Sequence, residues 1–195
     1  MASTPTSRIL TSRSYCEALR RHYVNCWGSE PEPLVFQEGS ADELPSEFRV
    51  LRFAPNERRK MWTYSTVCMS QRHDAMPMEL HLFAPRQNDE VVELLVVTSH
   101  YHRTGEWLGL GHTVNFGRPW WTGSACDHGL ISLPYLDGPK LEWLELGAVK
   151  VRFLWLVPVT KTEIEFKKAK GLSALERKFE KTNFNYLDPQ RPSVV

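Results

Sequence analysis

Hydrophobic positions recur along the chain with two different periods, and each change of period marks a new element. In residues 12–27, "SRSYCEALRRHYVNCW", Tyr15, Leu19, Tyr23 and Cys26 fall at helical spacing with arginines on the other side. Gly28 is expected to end that helix, and "GSEPEP" reads as a linker. Strand patterns follow in "LVFQE" at 34–38, then in "FRVLRFAP" and "MWTYSTVCMS", the last two joined by "NERRK" as a hairpin. In the second of these, alternation predicts Trp62, Tyr64, Thr66 and Cys68 on one face. Met61, Thr63, Ser65, Val67 and Met69 then take the other. "MELHLFAP" sets Met78, Leu80 and Leu82 against Glu79, His81 and Phe83, and Pro85 stops it.

After Pro85 the period lengthens. Asn88 or Asp89 is placed to cap a helix whose stripe is Val91, Leu94, Leu95 and Thr98 or Ser99. Val92, Val96 and Val97 pull the same stretch toward a strand. "HTVNFG" and "GLISLPYL" are short strands on either side of a tryptophan loop. "AVKVRFLWLVPV" is the strongest strand pattern and is expected near the sheet centre, closing at Pro158. Thr160 and Glu163 form a capping box for a helix that runs to Gly171, and Ser173 with Glu176 offers a second box. The sum is an α+β fold: a mostly antiparallel sheet with an N-terminal helix, a mid-chain helix and a C-terminal helical pair. A single domain over 1–195 is expected, with 1–11 and 189–195 as flexible termini.

Composition narrows the classes of function. Hydrophobic residues are 42% and charged residues 24% of 195, ordinary for a globular chain. Lys+Arg 24 against Asp+Glu 23 leaves a formal +1, so no overall field favours nucleic acid or an anionic membrane. "MASTPTSRILTSRS" has no apolar core of a secretory signal, and "VVELLVV" and "VRFLWLVPV" fall short of the ~20 residues that span a bilayer. Cys16, Cys26, Cys68 and Cys126 include no CxxC pair, and Cys16 and Cys26 would lie about 15 Å apart along one helix. They read as reduced thiols in a cytoplasmic protein.

Candidate chemistry is sparse. His100, His102, His112, Cys126 and His128 show no zinc spacing, and solvated or singly bonded histidines are the expectation. Gly109 and Gly111 lack the third glycine of a dinucleotide loop and precede a strand. There is no P-loop and no GxSxG elbow, and adjacency of Cys126, Asp127 and His128 is not the spacing of a Cys–His pair. Residues 161–181 carry seven Lys or Arg against four Asp or Glu, read as an exposed helix face. No metal or cofactor is expected.

"FGRPWWTGSACDH" at 116–128 is the most pointed feature. On an extended segment Trp120 and Trp121 face opposite ways, so one anchors the loop and the other is free to line a groove. Arg118, His112 and Tyr135 are close enough in sequence to join a partner-binding surface built on it. The alternative is a loop folded over the sheet edge with both rings buried.

"FLWLVPVTKTEIEFKKAKGLSALERKFEK" joins an apolar strand ending in Pro-Val-Thr to Thr-x-x-Glu and then Gly-Leu-x-Ala-Leu. With "MWTYSTVCMS", "PMELHLFAP" and an Asp-x-x-Arg-x-Ser ending at Asp188, Arg191 and Ser193, the chain resembles the Suppressor of fused (SUFU) family in its compact bacterial form. The resemblance runs from about residue 34 to the C-terminus, and a glycine is common in the family where Cys68 stands. It implies an α+β sheet with packed helices and no enzymatic activity. Animal members sequester a transcription factor using an additional domain, which is not carried over here. Bacterial members are similar to immunity proteins that bind and neutralise a cognate toxin, so a protein toxin is the expected partner. A regulatory interaction protein without a toxin, and a metal-dependent enzyme using a histidine-rich pocket, are the competing readings. The resemblance identifies no individual binding residue, and the tryptophan surface stands apart from it.

Overall fold

Thr11 opens the first helix by accepting a hydrogen bond from the Ser14 backbone N–H, and Gly28, at φ 71°, closes it. The computed structural model describes residues 11–34 and 43–195. In that helix, α1 (Ser12–Trp27), the buried stripe is Tyr15, Leu19, Tyr23 and Trp27. Trp27, one residue beyond the expected Cys26, completes the four-residue spacing. A short strand β1 (Glu32–Leu34) follows, and the rest of the expected 34–38 strand lies outside the described residues.

Strands β2 (Arg49–Phe53), β3 (Trp62–Val67) and β4 (Met78–Ala84) form an antiparallel meander, followed by α2 (Glu90–Thr104). Then come β5 (Thr113–Asn115), β6 (Cys126–Ser132), α3 (Pro139–Glu142), β7 (Trp143–Leu146) and the twelve-residue β8 (Val149–Thr160). Helices α4 (Lys161–Lys170) and α5 (Leu172–Thr182) end the order. The eight strands make one sheet, β1-β2-β3-β4-β8-β6-β5, with β7 also on β8. Among the described residues only β4 and β8 pair in parallel. The expected α+β architecture, with its N-terminal helix, mid-chain helix and C-terminal helical pair, is what forms. The stretch 139–146, with α3 and β7, was not anticipated.

Helices cover both sheet faces, which is why β4 is buried at every position. On one face α2 packs Val91, Leu94 and Leu95 against Leu80, Leu82, Leu154 and Leu156. On the other, α1 covers Leu51, Phe53, Val151 and Phe153, while α4 and α5 cover Phe83, Leu130, Trp155 and Val157. Each Leu or Phe withdrawn fully from water contributes about 1.5–3 kcal/mol before entropy is counted.

Four local expectations are corrected. Alternation in β3 breaks at Cys68, whose φ of 63° turns the chain, so Cys68 joins Val67 under α1 and Met69 crosses to the α2 face. Strand β8 does not stop at Pro158: Pro158 pairs with Gly129, and its carbonyl accepts a bond from Arg191. The Thr160–Glu163 capping box is made, but the Ser173–Glu176 box is not, because Gly171 at φ 88° already starts α5 at Leu172. The ending expected to be loose is tied down through Arg191, which is 5% exposed.

The cysteine reading is corrected as well. Cys16 on α1 and Cys68 after β3 are joined in a disulfide with Cα atoms 5.6 Å apart, while Cys26 and Cys126 are free. Spacing within α1 excluded only a Cys16–Cys26 bridge. The partner comes from 52 residues away, where the sheet brings it under the helix. Among the described residues no helix is long and apolar enough to cross a membrane.

Candidate partner-binding surface

The tryptophan loop folds inward. The Trp120 N–H donates to the Cys126 carbonyl and the Ser124 N–H to the Trp121 carbonyl, so the segment is bent rather than extended. The rule that sends neighbouring side chains to opposite faces therefore does not apply. Both indoles enter the α2-side core, 5.4 Å apart and tilted by 58°, at 2% and 6% exposure. The Trp121 ring retains one open edge, where it borders a shallow depression with Arg86, Thr122 and Gln190. Arg86 lies 5.3 Å over that ring.

The other expected site residues scatter. Arg118 is exposed and paired with Glu93 of α2. His112 is exposed at the start of β5. Tyr135 stands apart from the tryptophans and donates its hydroxyl to Glu176 of α5 at 2.9 Å. A single surface centred on Trp120, Trp121, Arg118, His112 and Tyr135 is not assembled.

The histidines are placed singly. His100 meets Glu43, the His102 ring accepts the Leu108 N–H, and His128 meets Asp127. No group of three or more His, Cys, Asp or Glu able to hold a metal ion occurs among the described residues. His81 on β4 is fully buried, with no hydrogen-bond partner for either ring nitrogen. Burial, with the nearby Arg59 charge, drives its pKa down to about 3, so it is neutral. Two residues earlier on the same strand face, Glu79 is equally buried and accepts bonds from Thr66 Oγ1 and from the backbone and hydroxyl of Ser70. Burial outweighs those bonds and pushes its pKa up to about 7. Tyr15 extends this network through Ser70 at 2.7 Å. Both lie on the α1 side of the sheet, His81 against the Trp27 ring and Glu79 linked through Ser70 to Tyr15.

Large apolar side chains meet solvent elsewhere. Met76, 67% exposed, and Trp143, 37% exposed, flank a groove of about 280 Å³ that also takes in Leu110, Lys150 and Arg152. Trp143 lies directly across from Arg152 in the β7–β8 pair. Arg152 and Lys150 sit over its indole at 4.9 Å and 4.5 Å. Arg152 is fixed from behind by two bonds to Glu142. The ring is thus exposed yet held, a low-entropy anchor of the type found at binding hot spots. A signal for it was present: in "WLEL", Trp143 and Glu145 share the outward face of a strand while Leu144 and Leu146 are half-buried. A tryptophan on the glutamate side of an alternating stretch marks an exposed ring.

The family model described as Suppressor of fused protein (SUFU) matches residues 45–192. A SUFU homologue from Neisseria gonorrhoeae FA 1090 shares 31% identity and a TM-score of 0.82, covering 94% of this chain and 98% of that one. A chain of the Sufu–Fu complex has the same fold at TM-score 0.69 and 16% identity, covering 92% of each. Drosophila Suppressor of Fused gives 0.68 and 16% identity, and this chain spans about half of it, 51%. Among curated proteins no match was found.

Proposed function

Because the chain belongs to the Suppressor of fused (SUFU) family, we propose that it acts by binding another protein, and specifically as an immunity protein that covers a cognate toxin. The observation that carries the binding reading is the exposed Trp143 ring, clamped by Arg152 and Lys150 and flanked by Met76. Tryptophan, arginine and methionine are enriched in interface cores. A standard interface needs about 800 Å² per partner, centred on a few such anchors. The toxin partner rests on the resemblance of bacterial SUFU members to immunity proteins; the bacterial homologue from Neisseria gonorrhoeae shares this fold along nearly its whole length. The Sufu–Fu complex supports partner binding by a protein of this fold. In this reading the chain carries out no reaction; it blocks one.

Capture from the native host tests the reading. The tagged protein should retain one protein in stoichiometric amount, and that protein should lose a measurable toxic activity on binding. A captured protein with no toxicity would favour a regulatory partner instead. Stoichiometric metal, together with turnover abolished by one histidine substitution, would contradict the binding reading altogether.

A further inference from the structure

A second cavity lies between the sheet and α5. It measures about 280 Å³ and is walled by Tyr135, Trp155, Phe179, Phe184 and Tyr186. The rings are locked against each other: Trp155 meets Tyr186 edge-on at 5.2 Å, and Phe179 stacks on Phe184 at 4.3 Å. The size sits at the lower edge of small-molecule pockets, about 300 Å³, and suits one side chain.

The charged groups lining this cavity are Glu176 and Glu180; no Lys or Arg lines it. The two are four residues apart on α5, where like charges repel. Among the described residues neither makes an ion pair, and Glu176 is held only by the Tyr135 hydroxyl. Glu142, by contrast, is taken by Arg152. Burial and the bond to Glu176, with the charges of Glu176, Glu180 and Glu142, push the Tyr135 hydroxyl up to about 12. Arg191 already lies over the Phe179 and Phe184 rings but is neutralised by Glu163, so the mouth keeps a negative potential beside Trp155 and Tyr186, the combination that attracts an organic cation. Tyr135 and Leu136, 55% and 46% exposed at the same place, add apolar surface for whatever carries that cation.

We propose that this aromatic cavity receives the cationic head of an arginine or lysine side chain presented by the protein partner, with Glu176 and Glu180 as its counter-charges. The source of the cation rests on the binding function above. The apolar rim favours a peptide-borne cation, since a free amine would leave Tyr135 and Leu136 uncovered.

The test uses n-butylguanidinium and its uncharged isostere n-butylurea, followed by NMR at the indole N–H of Trp155, assigned with Trp155→Phe. The cation should give a saturable shift at least tenfold tighter than the urea. Glu176→Gln with Glu180→Gln should abolish that preference, and Glu180→Gln alone, at an exposed position, should reduce it. The captured partner should bind the double variant at least tenfold more weakly. Equal binding of the two probes, or an unchanged preference in the double variant, overturns the proposal. So does a partner whose affinity ignores the double variant, although partner binding itself would then stand. If the wild-type protein captures no partner, the binding function fails, and with it the protein source of the cation.

Discussion

Arg191 grips Glu163 through two hydrogen bonds, Nη1 to Oε1 at 2.7 Å and Nη2 to Oε2 at 2.8 Å, with both side chains buried. Glu163 also accepts the Thr160 N–H that completes the capping box, and the Val194 N–H from the chain end. Ser193 meets the hydroxyls of Thr160 and Thr162. The two motifs that carried the family resemblance, Thr-x-x-Glu and the Asp-x-x-Arg-x-Ser ending, are thus two halves of one docking device. Their role is to fasten the C-terminus over the end of β8.

Removing one partner of that pair leaves an uncompensated buried charge. Arg191→Ala should lower unfolding free energy by about 3–5 kcal/mol in urea titrations, and Glu163→Ala by a similar amount. Burial alone would raise the Glu163 pKa, but the Arg191 bonds and charge reverse this and hold it below its ordinary value. Its contribution is therefore present above pH ~4.5 and lost as pH falls through the depressed folded value. An Arg191→Ala protein with unchanged stability at pH 7 would contradict this account of the motif.

Glu79 titrates with the opposite sign. Its pKa rises from 4.5 to about 7 on folding, so the folded state holds the proton more tightly. Stability from this group is full below pH ~4.5 and is lost as pH rises through about 7, by up to roughly 3 kcal/mol. Glu79→Gln removes this dependence. The difference in urea midpoint between wild type and variant should shift in the variant's favour from pH 5 to pH 8; a constant difference would refute the assignment.

The Cys16–Cys68 bridge closes a separation of 52 residues. Chain entropy gives about 4 kcal/mol for such a loop. Cys16→Ser should lose a large part of that in non-reducing urea titrations, and reductant should bring the wild type down to the same level. Adding Cys68→Gly to Cys16→Ser should recover some stability, because glycine accepts the φ of 63° without a Cβ penalty. A reductant-insensitive wild type would show that the two thiols are not joined in solution.

Trp120 and Trp121 now belong to the core. Trp120→Ala should cost about 3–5 kcal/mol of stability, the range for a buried aromatic truncation. Differential scanning calorimetry would register it, and a Trp120→Ala protein with an unchanged melting temperature would mean the indole is not packed as described.

The sequence spoke clearly where one element's own periodicity decided the outcome. Tyr15, Leu19 and Tyr23 marked the α1 stripe, and Thr160 with Glu163 marked the start of α4. It spoke poorly where distant segments decide. Nothing near Cys16 names Cys68, and nothing near Arg191 announces a carboxylate 28 residues earlier. Of the two readings of the tryptophan pair the folded-back loop is the one that forms, because period two holds only on an extended backbone and the turn closed by Trp121 and Ser124 bends it. Tyr135 was singled out for proximity to that loop, yet its neighbours come from α5 and β8. Trp143 passed unnoticed because a four-residue strand offers too few alternations to stand out.

The central claim is that this protein works by presenting the Trp143 groove to another protein's surface. Isothermal titration of the captured partner against wild type and Trp143→Ala tests it most directly. Trp143 is exposed on a strand that, among the described residues, pairs only with β8, so the variant should keep its melting temperature while affinity falls by about 2 kcal/mol, roughly thirtyfold. Unchanged affinity in a folded Trp143→Ala protein would place the contact elsewhere and contradict the account.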